Sequence, residues 1–197
     1  MGMMKRVIIL FLFAVCPILA FSQSKGYEFS VDASAGLGLS NLSKYSVGAS
    51  VINGYRLSDK FSIGLGVGFK YAETLYYHSE DSTLGNYDSR DNKFLVPVFL
   101  RAKFNFTDGA IAPFISGDFG YTFDVGKNPN KNIEGLFAEP IVGVDFKSKG
   151  ATWFLGIGAN VQQHHYEYFR ISDVIKSSEK TVKGVVTTLA LHFGVAF

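Results

Sequence analysis

Seven charged residues fall inside stretches of the chain that otherwise alternate apolar side chains with small or polar ones: Asp32, Lys70, Arg101, Lys103, Asp118, Glu139 and Asp145. Both signs are present, and each charge is isolated among uncharged neighbours or, for Arg101 and Lys103, separated by one alanine. Charges placed this way suit one kind of chemistry. They can pair across an enclosed space, where an unpartnered charge is expensive and a hydrogen-bonded pair is tolerated.

Other chemistries are weaker candidates. GLGVGF (Gly64–Phe69) superficially has the glycines of a phosphate loop, but they fall at every second residue of a strand pattern and no helix follows. Such glycines make room for large neighbours such as Arg101 or Phe99. His164 and His165 are adjacent, and adjacent strand residues point to opposite faces, so they cannot chelate one metal together without distortion. A lipid-modifying hydrolase needs serine, histidine and carboxylate in one place. His78, His164 or His165 with Asp81, Ser82 or Asp88 supply the types, as most polar loops would. No catalytic, metal or cofactor site is therefore expected.

Positioning the seven charges requires strands. The last stretch, Val185–Phe197, reads VVTTLALHFGVAF, with Val185, Thr187, Leu189, Leu191, Phe193, Val195 and Phe197 in one phase. From Thr188 the other phase holds Thr188, Ala190, His192, Gly194 and Ala196, small or polar residues that face the opposite way. The same period runs through Tyr27–Leu37, Tyr45–Tyr55, Phe61–Tyr77, Phe94–Phe106, Ile111–Val125, Leu136–Phe146 and Trp153–Gln163. That makes eight strands, an even number, each near the roughly 9–11 residues a tilted strand needs to cross a bilayer. Asn53-Gly54 offers an alternative turn, and Pro140 predicts a bulge, since a central strand needs the amide that proline lacks.

The connections alternate. Leu57–Lys60, Thr107–Ala110 and Ser148–Gly150 have tight-turn chemistry, whereas His78–Asp91, Gly126–Gly135 and Glu167–Val182 are longer and polar; Ser40–Lys44 is short. The pattern predicts tight turns and both termini in the periplasm and four loops outside.

Which face meets lipid follows from the charges. The seven, with Arg56 near a strand end, lie in the phase that holds the glycines. An eight-stranded barrel has an interior only wide enough for side chains, so that phase is the inside. A soluble barrel of lipocalin type has the reverse arrangement. Aromatics of the apolar phase gather at strand ends, as interfacial girdles do: Tyr27, Tyr55, Phe61, Phe104, Phe146, Trp153 and Phe197 at one, Tyr45, Tyr71, Phe94, Tyr121 and Phe123 at the other. The fold class read from the sequence is all-β, an eight-stranded antiparallel up-and-down transmembrane β-barrel.

The N-terminus reads as a secretory signal peptide over residues 1–22: basic Lys5 and Arg6, an apolar run Val7–Phe21, and a small-residue exit at Ala20 and Ser22 that leaves Gln23 first. Residues 23–197 are then the barrel domain. Cys16, the one cysteine, lies inside the signal, and Val15 before it is not the small residue a lipoprotein needs. Loss of Lys5 and Arg6 lowers the 19 basic residues to 17, equal to the 17 acidic ones, so net charge gives no indication of a nucleic-acid partner.

Signal, eight alternating strands and terminal Phe197 together resemble the small bacterial outer-membrane β-barrel domain family, of OmpA/OmpX-like and PorT-like type. FLVPVFLRAKF (Phe94–Phe104) and APFISGDFGYTF (Ala112–Phe123) are similar to strands of that family. The resemblance implies an assembly signal in Phe193, Val195 and Phe197, recognised by the barrel-assembly machinery, and location in the cell outer membrane among its lipids. Loss of Phe197 is expected to block assembly, with Gly194→Ala milder. No peptidoglycan-binding domain follows the last strand, which counts against cell-wall anchoring. The function expected is a non-catalytic integral outer-membrane protein with a side-chain-filled lumen, acting through its extracellular loops in adhesion or envelope integrity and through them touching a possible protein partner. The alternative is a component of a secretion or envelope-assembly system, as PorT-like relatives suggest. A lipid-modifying barrel enzyme comes third.

Overall fold

The computed structural model describes residues 26–39, 43–78, 87–125, 134–170 and 178–197; the signal-peptide reading lies outside them. Eight strands follow in chain order: β1 Tyr27–Gly38, β2 Ser43–Arg56, β3 Phe61–His78, β4 Tyr87–Asn105, β5 Ile111–Asp124, β6 Gly135–Ser148, β7 Ala151–Arg170 and β8 Ser178–Ala196. Each pairs antiparallel with the next, and β8 returns to β1 to close the barrel. Closure leaves no unpaired edge in the wall, the condition for strands to sit in a medium that offers backbone groups no hydrogen bonds.

The period-2 pattern decides which way each residue faces. Along β6 the side chains alternate without a break from buried Gly135 to exposed Val142. Exposed positions carry Leu65, Phe69, Val98, Phe119, Val142, Leu155 and Leu191, so the apolar phase is outside. Aromatic contacts follow the strand ends as expected: Tyr71 lies 6.3 Å from Tyr45 and 5.2 Å from Phe94, and Trp153 stacks on Phe193 at 5.8 Å.

The seam is made by the C-terminus. β1 and β8 pair from Ser30↔Ala196 to Gly38↔Thr188. Phe197 then exchanges two backbone hydrogen bonds with Phe29, of 3.1 and 2.8 Å.

Tight turns close one end. The Ser58 hydroxyl accepts from the amides of Lys60 and Phe61 at 3.3 and 3.0 Å, and Gly150 takes a positive φ of 87° between β6 and β7. At the other end the hairpins β3–β4 and β7–β8 outrun their neighbours. Pairing of β3 with β4 continues to His78↔Tyr87, whereas β4 with β5 stops at Leu95↔Asp124. β7 and β8 stay paired to Arg170↔Ser178.

Three expectations are corrected. Parts of the long polar connections are strand: Tyr87–Asp91 belongs to β4, Glu167–Arg170 to β7 and Ser178–Val182 to β8. Asn53 and Gly54 make no turn and pair with Leu65 and Gly64 inside β2. Pro140 makes no bulge. The β6–β7 ladder lapses between Ala138↔Val161 and Ile141↔Gly158 and resumes in the same register, so the missing amide is absorbed without an extra residue. The register shift is instead in β2, between Ser43 and Tyr45.

Candidate functional site in the barrel lumen

The inward phase of all eight strands converges on one closed volume, and the seven predicted charges are in it. Arg101 on β4 is the hub. Its guanidinium donates to both oxygens of Asp118 on neighbouring β5, at 2.7 and 2.6 Å, and to Asp32 across the lumen on β1 at 2.7 Å. Arg101 is 9% exposed, Asp118 4% and Asp32 3%. A bidentate fork with a third bond suits arginine, whose planar donors match two carboxylates at once.

Toward the tight-turn end, Lys103 donates to Asp145 at 2.7 Å, and the Asn105 amide satisfies the other Asp145 oxygen at 2.7 Å. The Lys103 ammonium also lies 4.3 Å from the centre of the Phe114 ring and 5.2 Å from that of Phe154. A cation desolvated between ring faces is held by their quadrupoles as well as by its carboxylate. At the rim, Arg56 pairs with Glu28. Toward the other end, Lys93 and Asp124 form an almost completely buried pair at 3.3 Å.

Glu139 on β6 has three neighbours: the Asn160 amide donates to it at 3.0 Å, a His192 ring nitrogen lies 3.1 Å away, and Lys70 faces it across a small cavity. The other His192 nitrogen is 3.2 Å from both oxygens of Asp32. Thus Asp32, Arg101, Asp118, Glu139 and Lys70 belong to one layer, while Lys103 with Asp145 forms a second.

Apolar groups fill what the charges leave. Ile52, Phe99 and Phe137 make one buried cluster and Phe114, Ile141 and Phe154 another. The glycines of the inward phase accommodate these rings, as the reading of GLGVGF anticipated: a Cβ on Gly66 would sit 2.3 Å from the Phe99 ring. Among the described residues, two lumen cavities of about 20 and 30 Å³ each have room for one or two water molecules.

Sequence reasoning missed His192, Lys93, Asp124, Asn105 and Asn160 as members of the network. His192 and Asp124 were already in the inward phase, so phase alone is the signal that identifies them. Lys93 falls one residue before the apolar alternation that begins at Phe94, within a strand that starts at Tyr87. His78, Asp81, Ser82, Asp88, His164 and His165 lie outside the residues whose side chains are described.

The architecture has solved counterparts. Over 87% of this chain and 96% of the other, it is similar to Neisserial surface protein A, at 15% identity and a TM-score of 0.55. The outer membrane protein AlkL gives 13% identity over 88% of this chain and 90% of AlkL, with a TM-score of 0.54. The outer membrane enzyme PagL is similar over 84% of this chain and 97% of PagL, at 14% identity and a TM-score of 0.45. At such identities the likeness is one of fold. No curated protein matches the sequence. A family model does, over residues 8–197, and with eight closed strands, an apolar exterior and a packed polar lumen the chain belongs to the outer membrane protein beta-barrel domain family.

Proposed function

We propose that this chain is a non-catalytic integral protein of the outer membrane, exported by a cleavable signal at residues 1–22, whose lumen is a closed plug. Its work is then done at its ends, above all at the long-strand end, which the tight-turn topology would turn outside the cell. The observation that carries this reading is the Arg101 fork, which spans from β5 to β1 through the middle of the barrel. A solute would have to break charge-assisted bonds in a low-dielectric space to pass.

The lumen also argues against chemistry. Both nitrogens of His192 are taken by carboxylates, so neither can activate a nucleophile. Phe193, Val195 and Phe197 stand in the outward phase of the strand that closes the seam, which suits the assembly signal the barrel-assembly machinery would read. Contact with a protein partner would fall to the projecting end.

Purified, refolded mature protein in planar lipid bilayers tests the plug. At neutral and acidic pH the expected record is a flat baseline. Steady single-channel currents would overturn the reading.

A further inference from the structure

The lumen contains one tie that differs in kind from the rest. Arginine does not lose its proton in proteins, and lysines and carboxylates keep their charges around neutrality unless strongly perturbed. Histidine alone among the described lumen groups is of a type that gains and loses a proton near neutral pH. His192, on β8, is 4% exposed and stands between Asp32 on β1 and Glu139 on β6.

Hydrogen-bond bookkeeping makes its state matter. A carboxylate accepts and does not donate, so a ring with carboxylates at both nitrogens satisfies them only when both nitrogens carry hydrogen. Charge bookkeeping says the same. Between the rims the described inward phase holds five carboxylates, Asp32, Asp118, Asp124, Glu139 and Asp145, against four basic side chains besides histidine, Lys70, Lys93, Arg101 and Lys103. The rim pair Glu28–Arg56 neutralises itself, and Glu73, buried although in the outward phase of β3, is hydrogen-bonded to the Tyr45 side chain next to the register shift in β2. With all nine ionised, the cation that balances the fifth carboxylate is an imidazolium at His192.

The groups that face His192 show what its proton holds together. From β1 comes Asp32, itself gripped by Arg101 of β4, which also holds Asp118 of β5. From β6 comes Glu139, with Lys70 of β3 opposite and Asn160 of β7 beside it. On the β7 side the ring meets glycine: a Cβ on Gly158 would lie 2.9 Å from its Nε2. Asp32 keeps Arg101 whatever the ring does. A neutral ring keeps hydrogen on one nitrogen only, so one of the two carboxylates then faces a bare nitrogen: Asp32, which still has Arg101, or Glu139, which is left with the Asn160 amide. The β6 side of the central layer is therefore anchored to the β1–β4–β5 side by His192.

We propose that protonated His192 is a removable pin in the plug. With both nitrogens protonated it ties β1 to β6 across the lumen. When rising pH takes one proton, the ring can donate to one carboxylate and not to both, the tie is cut, and water enters between the two cavities that flank the layer. This rests on the closed-plug reading, and the experiment separates the two.

Conductance of the refolded mature protein is recorded in planar bilayers from about pH 5 to about pH 10, beside His192→Gln, which has no charge at any of these values. Retention of the heat-sensitive folded band on gels checks that the variant is a barrel. Wild type should be silent at acidic pH and show brief openings that become at least roughly tenfold more frequent at alkaline pH, the factor that about 1.4 kcal/mol confers. The variant should open often at every pH. Ring nitrogen-15 spectra, assigned with a variant that carries His78→Gln, His164→Gln and His165→Gln and so keeps His192 alone, should lose the doubly protonated His192 signal over the pH range in which openings rise. If His192→Gln does not fold, that coincidence still decides. Silence at every pH leaves the plug standing and removes the pin; steady current at every pH removes both. Openings that rise in parallel in wild type and variant, or at a pH where the ring signal does not change, also overturn the pin.

Discussion

Leu191 and His192 are neighbours in sequence on one strand, and they live in different solvents. Leu191 is 57% exposed on the outer surface and His192 is 4% exposed in the lumen. Throughout the barrel one residue of displacement carries a side chain from a face that asks only for apolar bulk to one that asks for a named partner. The difference is one of specificity. An outward position tolerates any hydrophobic residue, because the lipid beside it adapts. An inward position is fixed by both charge and volume, because the lumen is packed by protein on every side.

The largest effect should come from breaking the inner face at its hub. Arg101→Ala leaves Asp118 and Asp32, both nearly fully buried, without their guanidinium. Removing one partner of a buried pair typically costs about 3–5 kcal/mol. Urea unfolding in lipid vesicles, followed by emission from Trp153, the single tryptophan, measures it. A loss below that of any outer-face substitution would mean the lumen is wet enough to screen the carboxylates.

The next effect sharpens the outer face. Leu191→Arg places a charge in the apolar band and should cost about 2–4 kcal/mol if the position lies near the midplane, while the same change at Phe197, at the strand end, should cost about 0–1 kcal/mol of folding stability. Equal costs at both depths, measured by the same unfolding, would contradict a lipid-facing exterior.

Gly194→Ala ranks third, and its cost comes from the close packing of β8 against β1. A Cβ there would lie 2.2 Å from the Val31 carbonyl oxygen and 2.3 Å from the Phe154 ring, so β1 or the ring must move. Overpacking of this kind costs about 1–3 kcal/mol. An outward methyl at Gly117, where nothing lies within 4 Å, serves as the control and should leave the unfolding midpoint near that of wild type.

The same contrast explains what the sequence showed and where it failed. All eight strands and the facing of every predicted lumen charge were legible, because lipid outside and packed protein inside impose opposite demands on alternate residues. Where both faces leave that regime, the signal stops. Tyr87–Lys93 in β4, His164–Arg170 in β7 and Ser178–Gly184 in β8 run beyond the strands beside them, and with that the apolar alternation lapses and polar residues occupy both phases. Within them Tyr87–Asp91, Glu167–Arg170 and Ser178–Val182 have the composition of connections although their backbones stay paired. Pro140 misled for another reason: its lost hydrogen bond was real, but which side of the strand it would fall on depends on register with β7, and register is not written in the pattern. Pairings inside the lumen needed the same information. Arg101 is cross-strand neighbour to Asp118 in the ladder, while Asp32 comes from the far wall.

The smallest effect tests where the inner face ends. Glu28 and Arg56 occupy the inward phase of β1 and β2 and pair as Arg101 and Asp118 do, yet they sit at the tight-turn rim. The Arg56 side chain is 40% exposed and that of Glu28 15%, against 11% and 4% for Arg101 and Asp118. Water at the mouth can solvate either charge once its partner is gone, so the cost of a stranded carboxylate that dominates at the hub nearly vanishes here. Arg56→Ala should therefore lower stability by about 0.2–1 kcal/mol, and the deficit should shrink in high salt, which screens exposed pairs and leaves buried ones intact. The same unfolding at low and high salt reads both quantities. A loss as large as that of Arg101→Ala, insensitive to salt, would place Arg56 inside the sealed lumen and move the boundary of the plug down to the turns.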